Sequence, residues 1–365
     1  MVKSMRCATC NKYFDMRHMS TIDQCLTCEA HLFFSAKFQG EDMSFSFSQL
    51  PEVIEHPIPD PIEVKEYLDR FVVGQEDLKK ALSVVAVNHM YAVDHNKTRH
   101  NIKIKTPAIL ITGSTGSGKT LTVSYLAKMF DIPFISVDCT TITSAGYVGR
   151  NLEEIFEPVI KKYRGNNWDG NMIVYFDEID KIAASKDERG KDVNGKAVQQ
   201  AMLKLLEGET VYLETKTSNY EFDTRNVLFI FSGAFTETRE ALNKKAKQAP
   251  LGFEVKNTRK HYKITSKDLI EAGMIRELIG RISLIVETQE LGKEELLRVL
   301  TEPENCLLKE YNMLCEIRDL DPIDETLDLE EIVDLCIERK VGARGLRQII
   351  EEKLLEHMYN DTNGA

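Results

Sequence analysis

Two short runs in this 365-residue sequence carry side chains able to bind and cleave a phosphate chain. The first is Gly113, Ser114, Thr115, Gly116, Ser117, Gly118, Lys119 and Thr120, a full G-x4-G-K-[ST] pattern. Its glycines let successive backbone amides curl around phosphate oxygens. Lys119 can then reach the outer phosphates, and the Thr120 hydroxyl is suited to ligate Mg²⁺. The second run is the apolar stretch from Met172 that ends in Asp177 and Glu178. Asp177 is placed to hold the Mg²⁺ shell, directly or through water, and Glu178 to polarise an attacking water as general base. Together they imply hydrolysis of ATP. A third set is Cys7, Cys10, Cys25 and Cys28, spaced C-x2-C-x14-C-x2-C. Two such thiolate pairs suit the tetrahedral shell of Zn²⁺. A module this small buries too little surface to fold alone, so the metal is expected to be its main stabiliser. Cys139, Cys306, Cys315 and Cys336 are scattered singly and read as small buried apolar residues.

These groups need elements to place them. The apolar run AILIT precedes the glycine-rich loop and the helical run LTVSYLAKMF follows it, the strand–loop–helix order that phosphate binding requires. Strand and helix patterns alternate from about residue 61 to 286, which predicts an α/β domain with a mainly parallel sheet. From 287 to 360 helical periodicity dominates, in segments such as KEELLRVL and LEEIVDLCIERK, and predicts a smaller helix-rich domain. Residues 1–34 form the four-cysteine module and 361–365 a tail. Between them and the α/β domain, residues 35–60 read as an extended linker, because prolines at 51, 57, 59 and 61 resist regular structure. Hydrophobic residues at 42% and charged residues at 29% are those of a globular protein. The formal charge of −11 argues against a broad nucleic-acid surface, and no apolar run reaches membrane-spanning length. The N-terminus has no apolar core of a secretory signal, so the cytoplasm is the expected compartment, with thiols reduced or metal-bound.

The order of Val72-Val73-Gly74-Gln75, the loop at 113–120, IVYFDEIDKI, GAF at 233–235, ELIGR and GARGLR resembles the AAA+ unfoldase family. The runs LSVVAVNH, AGYVG and VQQAMLKLLEG, with the four-cysteine N-terminus, are similar more specifically to the ClpX group, from Cys7 to about Tyr359. The resemblance implies a homo-hexamer that hydrolyses ATP to unfold protein and feed it to a ClpP-like peptidase, with adaptors binding the zinc domain. It implies that Arg281 is an arginine finger on the neighbouring subunit's ATP, and that Arg344 senses the γ-phosphate within its own subunit. Adenine is expected against Val72, Val73 and the junction of the two domains. Tyr147 and Val148 are implied as the pore loop that grips polypeptide, and Leu251, Gly252 and Phe253 as the loop that docks on the peptidase. Ser232, at the end of the strand NVLFIF, falls in the region of a polar sensor on the fourth core strand.

The sequence also departs from that group. The segment from Gly208 to Asn226 is short and lacks a basic Arg-Lys-His entrance loop; Arg150 follows the pore loop, and Arg276 stands where a proline is common. Substrate choice is therefore left open. Two other readings use the same motifs: a remodelling ATPase with no peptidase partner, and a nucleic-acid ATPase read out by the zinc module. The acidic balance and Tyr147 weigh against the second.

Overall fold

The computed structural model describes residues 4–6, 13–15, 35–38, 41–44, 58–98, 104–142, 152–163, 168, 170–183, 193–208, 210–214, 219–248, 262–319, 322, 327–339 and 341–360. Cys7, Cys10, Cys25, Cys28, Tyr147, Val148, Leu251, Gly252 and Phe253 lie outside the described residues. The chain divides into two compact units, Met1–Pro57 and Ile58–Ala365.

In the first unit β1 (Ser4–Arg6) pairs antiparallel with β2 (Tyr13–Asp15), and β3 (Ser35–Phe38) with β4 (Glu41–Ser44). The first pair flanks Cys7 and Cys10 in sequence. The second brings regular structure into the stretch expected to be extended linker.

The second unit opens with α1 (Pro61–Asp69) and α2 (Glu76–Thr98). Asp60 caps α1 in a full capping box with Glu63, and Pro61 supplies a pre-set first turn. There follow β5 (Ala108–Thr112), α3 (Lys119–Met129), β6 (Phe134–Asp138), α4 (Glu157–Tyr163), β7 (Met172–Asp177) and α5 (Val193–Glu207). An antiparallel hairpin, β8 (Thr210–Glu214) with β9 (Asn219–Asp223), leads into β10 (Val227–Gly233). After α6 (Thr236–Gln248), α7 (Ser266–Glu271) and α8 (Arg276–Ile279) comes β11 (Ile282–Glu287). The chain then turns helical: α9 (Lys293–Thr301), α10 (Leu307–Ile317), α11 (Leu329–Arg339) and α12 (Gly342–Asn360).

Five strands form one sheet in the order β11-β5-β10-β7-β6, every pair parallel. Strands covered on both faces need no polar face, which is why β5 and β10 are buried along their whole length and apolar up to Thr112 and Ser232 at their C-terminal ends. Alternation along each strand still sorts the side chains. Leu110, Val174, Phe176, Phe229 and Phe231 join the layer of α5, α7 and α8. Ile109, Ile111, Tyr175 and Ile230 join that of α1, α2 and α3. The last helices hold a separate apolar cluster, including Leu296, Leu300, Ile332, Leu346 and Ile350. Cys139 is buried in the first cluster and Cys315 and Cys336 in the last, as expected of small apolar residues. No helix among the described residues is long and apolar enough to cross a membrane.

Candidate active site

The glycine-rich loop leaves the C-terminal end of β5, a central strand, and enters α3. The Gly113 amide donates to the Gly233 carbonyl at 3.2 Å, and the Thr288 amide to the Thr112 carbonyl at 2.8 Å, so β10 and β11 brace the exit. Gly113 has φ +146°, and a Cβ there would lie 1.8 Å from the Thr288 hydroxyl oxygen, so only glycine fits. The Thr288 hydroxyl donates to Ser117 Oγ at 2.9 Å, and Ser117 Oγ to the Ser114 carbonyl at 2.9 Å, which fixes the loop from within. The free amides at the start of α3 and its positive dipole end thus face the loop's concave side, the natural seat of a phosphate. Lys119 Nζ lies folded over the loop, donating to the Gly113 and Ser114 carbonyls at 2.9 and 2.8 Å. Burial pushes its pKa down, Asp177 and Asp180 pull it back up, and Arg344 pushes down again. A phosphate that took over those hydrogen bonds would meet a desolvated cation, which strengthens the pairing.

β7 delivers the carboxylates. β10 lies between β5 and β7, so its Ser232 sits beside Asp177 and donates to Asp177 Oδ1 at 2.6 Å. The Glu178 amide donates to the same oxygen at 3.0 Å. Thr120 Oγ1 lies 3.3 Å from Asp177 Oδ2 and 3.2 Å from the Tyr175 hydroxyl. A hydroxyl and a carboxylate are hard oxygen donors, and with nucleotide phosphates and water they fit Mg²⁺, which takes one or two protein ligands in such sites. Glu178 holds a left-handed backbone, φ +56°, at the strand's end, and its side chain is exposed to the cavity. Asp180 Oδ1 accepts from the Ala234 amide at 3.1 Å and ties this turn to the end of β10.

One cavity of about 700 Å³ gathers these groups: Thr115, Gly116, Gly118, Lys119, Thr120, Asp177 and Glu178 line it, facing Ala343 and Arg344 of α12. The loop and α12 meet backbone to backbone. Gly342, at φ +60°, is so close that a Cβ on it would lie 3.1 Å from the Thr115 carbonyl. A Cβ on Gly116 would lie 3.4 Å from the Val341 carbonyl. Arg344 therefore stands over the phosphate end. Phe71, Leu121, Val299, Pro303 and Leu307 give the cavity an apolar end of a kind that suits a base. Val72 and Val73 are buried and line the neighbouring cleft with Leu291, while Val72 Cγ1 is 4.0 Å from where a Gly118 Cβ would stand. Their segment is pinned to the end of β11 by a reciprocal pair of 2.8 Å bonds between the Gln75 side chain and the Gln289 backbone.

Arg281 is the candidate that the fold keeps apart. It is not among the residues lining the cavity; it is 44% exposed and paired with Glu207 at 2.6 Å. Among the residues that sequence reasoning missed, Tyr175 had a readable signal: it stands two residues before Asp177 on a strand and so shares its face. Arg347 had one too, three residues after Arg344 on one helix face, and is held by Glu310 at 2.6 and 3.0 Å; Phe71 is brought to the cavity by the fold.

Residues 105–285 match the AAA domain (Cdc48 subfamily). The chain is 36% identical to the ATP-dependent Clp protease ATP-binding subunit ClpX of Treponema denticola, over 83% of this chain and 77% of that protein. The ClpX of Bacteroides thetaiotaomicron is similar to the same extent, 36% over 83% and 77%. ClpX 2 of Wolinella succinogenes is 35% identical over 98% of this chain and 91% of its own length.

Proposed function

The chain belongs to the ClpX family of AAA+ ATPases, and from that premise we propose how its residues divide the work of an ATP-dependent Clp unfoldase. The observation that carries the reading is the convergence of Lys119, Thr120, Asp177, Glu178 and Arg344 on one cavity. The loop amides and Lys119 hold the β- and γ-phosphates. Thr120 and Asp177 hold Mg²⁺, which supplies charge neutralisation on the phosphate oxygens when bound. Glu178 orients the attacking water and takes its proton, while hydrogen bonds from Ser232 and the Glu178 amide hold the Asp177 carboxylate in place. Arg344 stabilises charge on the γ-phosphate from the same chain, and loss of that phosphate alters its hold on α12. Phe71, Leu121 and Pro303 receive the base, with Val72 and Val73 packed behind.

The remaining roles rest on sequence position. Arg281 completes the site of a neighbouring subunit in a homo-hexamer, consistent with its absence from the lining of its own cavity. Tyr147 and Val148 grip the translocating chain through contacts that need no sequence code. Leu251, Gly252 and Phe253 dock on a ClpP-like peptidase. Cys7, Cys10, Cys25 and Cys28 bind Zn²⁺, a reading supported by their spacing and by the strand pair that flanks the first two. The cytoplasm is its proposed compartment. The β8–β9 hairpin occupies the segment where the basic entrance loop is missing, so substrate tails are chosen by other residues.

The test is ATP-dependent degradation of a loosely folded protein by this chain mixed with a ClpP peptidase. Phe253→Ala should abolish degradation and leave ATP hydrolysis intact. ATP turnover by wild type without degradation would point to a remodeller that works without this peptidase.

A further inference from the structure

We propose that Tyr175 is a positioning residue for the metal side of the site, acting from beneath through Thr120. This rests on the reading above, in which Thr120 and Asp177 face Mg²⁺. Tyr175 is completely buried, its ring in the layer between the sheet and α1, α2 and α3, and only its hydroxyl reaches the site.

The argument is one of counting protons and lone pairs. Thr120 has one hydroxyl proton and two acceptors near it, Tyr175 Oη at 3.2 Å and Asp177 Oδ2 at 3.3 Å. Asp177 Oδ1 already accepts from Ser232 and from the Glu178 amide, so Oδ2 is the oxygen left for the metal shell. If Thr120 gave its proton to Oδ2, it would take up one of the lone pairs that oxygen offers the metal shell. Tyr175 provides the other acceptor. With Thr120 donating downward to the phenol, the Thr120 lone pairs are left to face the cavity. The phenol is also within hydrogen-bond reach of Ser232 and Asp177, so Tyr175 braces the carboxylate as well as the Thr120 hydroxyl. Tyr175 and Asp177 alternate onto one face of β7, and Thr120, second residue of α3, reaches both, so strand and helix bring the three together.

Tyr175→Phe removes the hydroxyl and keeps the ring that packs the layer. The measurement is binding of a fluorescent ATP analogue, titrated with Mg²⁺ and repeated in EDTA, together with the Mg²⁺ dependence of hydrolysis. The expected result is a rise of about fivefold in half-saturating Mg²⁺, the loss of one neutral hydrogen bond. Metal-free binding should be unchanged, and kcat at saturating Mg²⁺ should stay within about twofold. Thr120→Val weakens Mg²⁺ dependence by itself, and adding Tyr175→Phe should weaken it no further. An unshifted Mg²⁺ midpoint, an equal loss of binding in EDTA, or a full further loss on top of Thr120→Val would each overturn the proposal. Wild-type protein whose nucleotide binding ignored Mg²⁺ would overturn the site reading along with it.

Discussion

Arg344 lines the cavity that holds Lys119 and Glu178, whereas Arg281, just before β11, lies off that cavity, half-exposed, and pairs with Glu207. The difference lies in how each is carried. α12 is pressed onto the glycine-rich loop at Gly342 and Gly116, so Arg344 is delivered by a contact within the chain. Among the described residues, no contact carries Arg281 to the cavity. On the proposed reading, in which Arg281 serves a neighbour, the site would be half-built in one subunit and assembly would be part of catalysis.

Breaking the second half should cost most. Arg281→Ala is expected to lower kcat by about 10³-fold or more while ATP affinity changes little, because an arginine finger acts on transition-state charge. Single-turnover kinetics beside equilibrium binding checks this. Arg344→Ala should lower kcat/KM by about a hundredfold, with ATP and ADP affinities drawn together, since the proposed role has it face the γ-phosphate in the bound state as well. Gly342→Ala leaves both arginines in place but forces a Cβ to within 3.1 Å of the Thr115 carbonyl at a positive φ. A cost of about 1–2 kcal/mol in seating α12 should raise KM for ATP roughly tenfold and leave the Arg281-dependent step alone.

The smallest effect on turnover, read in stability instead, concerns the support under Val72. Lys79 is buried, donates to the Val72 carbonyl at 3.2 Å and pairs with Asp69 and with Glu76, the latter at 2.9 Å. Burial alone would raise the Asp69 pKa, but hydrogen bonds from Lys79 and Lys65 outweigh it and hold the carboxyl below its usual range. Lys65 and then Lys79 do the same for Glu76. Carboxylates with depressed folded pKa values contribute stability that is present above their unfolded values, about 4, and lost as pH falls through the folded ones. Melting temperature should therefore hold from pH 7 to about 5 and drop below about pH 4. Lys79→Met should cost about 2 kcal/mol at neutral pH and flatten that acid drop.

Much of this was legible in the sequence because it is local. The phosphate loop, its flanking strand and helix, and the strand ending at Asp177 each fit within one short window, and β5, α3 and β7 form where the patterns put them. What was not legible depends on sheet order and on long-range contact. No local pattern says that β10 inserts between β5 and β7, yet that insertion is what sets Ser232 against Asp177. Strands buried on both faces read as continuous apolar runs, so although the spacing puts Tyr175 on the face of Asp177, which helical layer covers that face had to come from the fold. The approach of Gly342 to the loop, and the presence of Phe71 at the cavity with Val72 and Val73 beside it, likewise arise from packing between distant segments.

The most direct measurement mixes two inactive variants, Arg281→Ala and Glu178→Gln, and follows ATP hydrolysis. If Arg281 serves a neighbour, mixed assemblies contain sites with an intact Glu178 from one subunit and an intact Arg281 from the next. Turnover should then rise well above that of either variant alone, with a maximum at intermediate mixing ratios. A mixture that stays as inactive as its components, under conditions where the subunits exchange, would place both residues in one subunit's site and contradict the account.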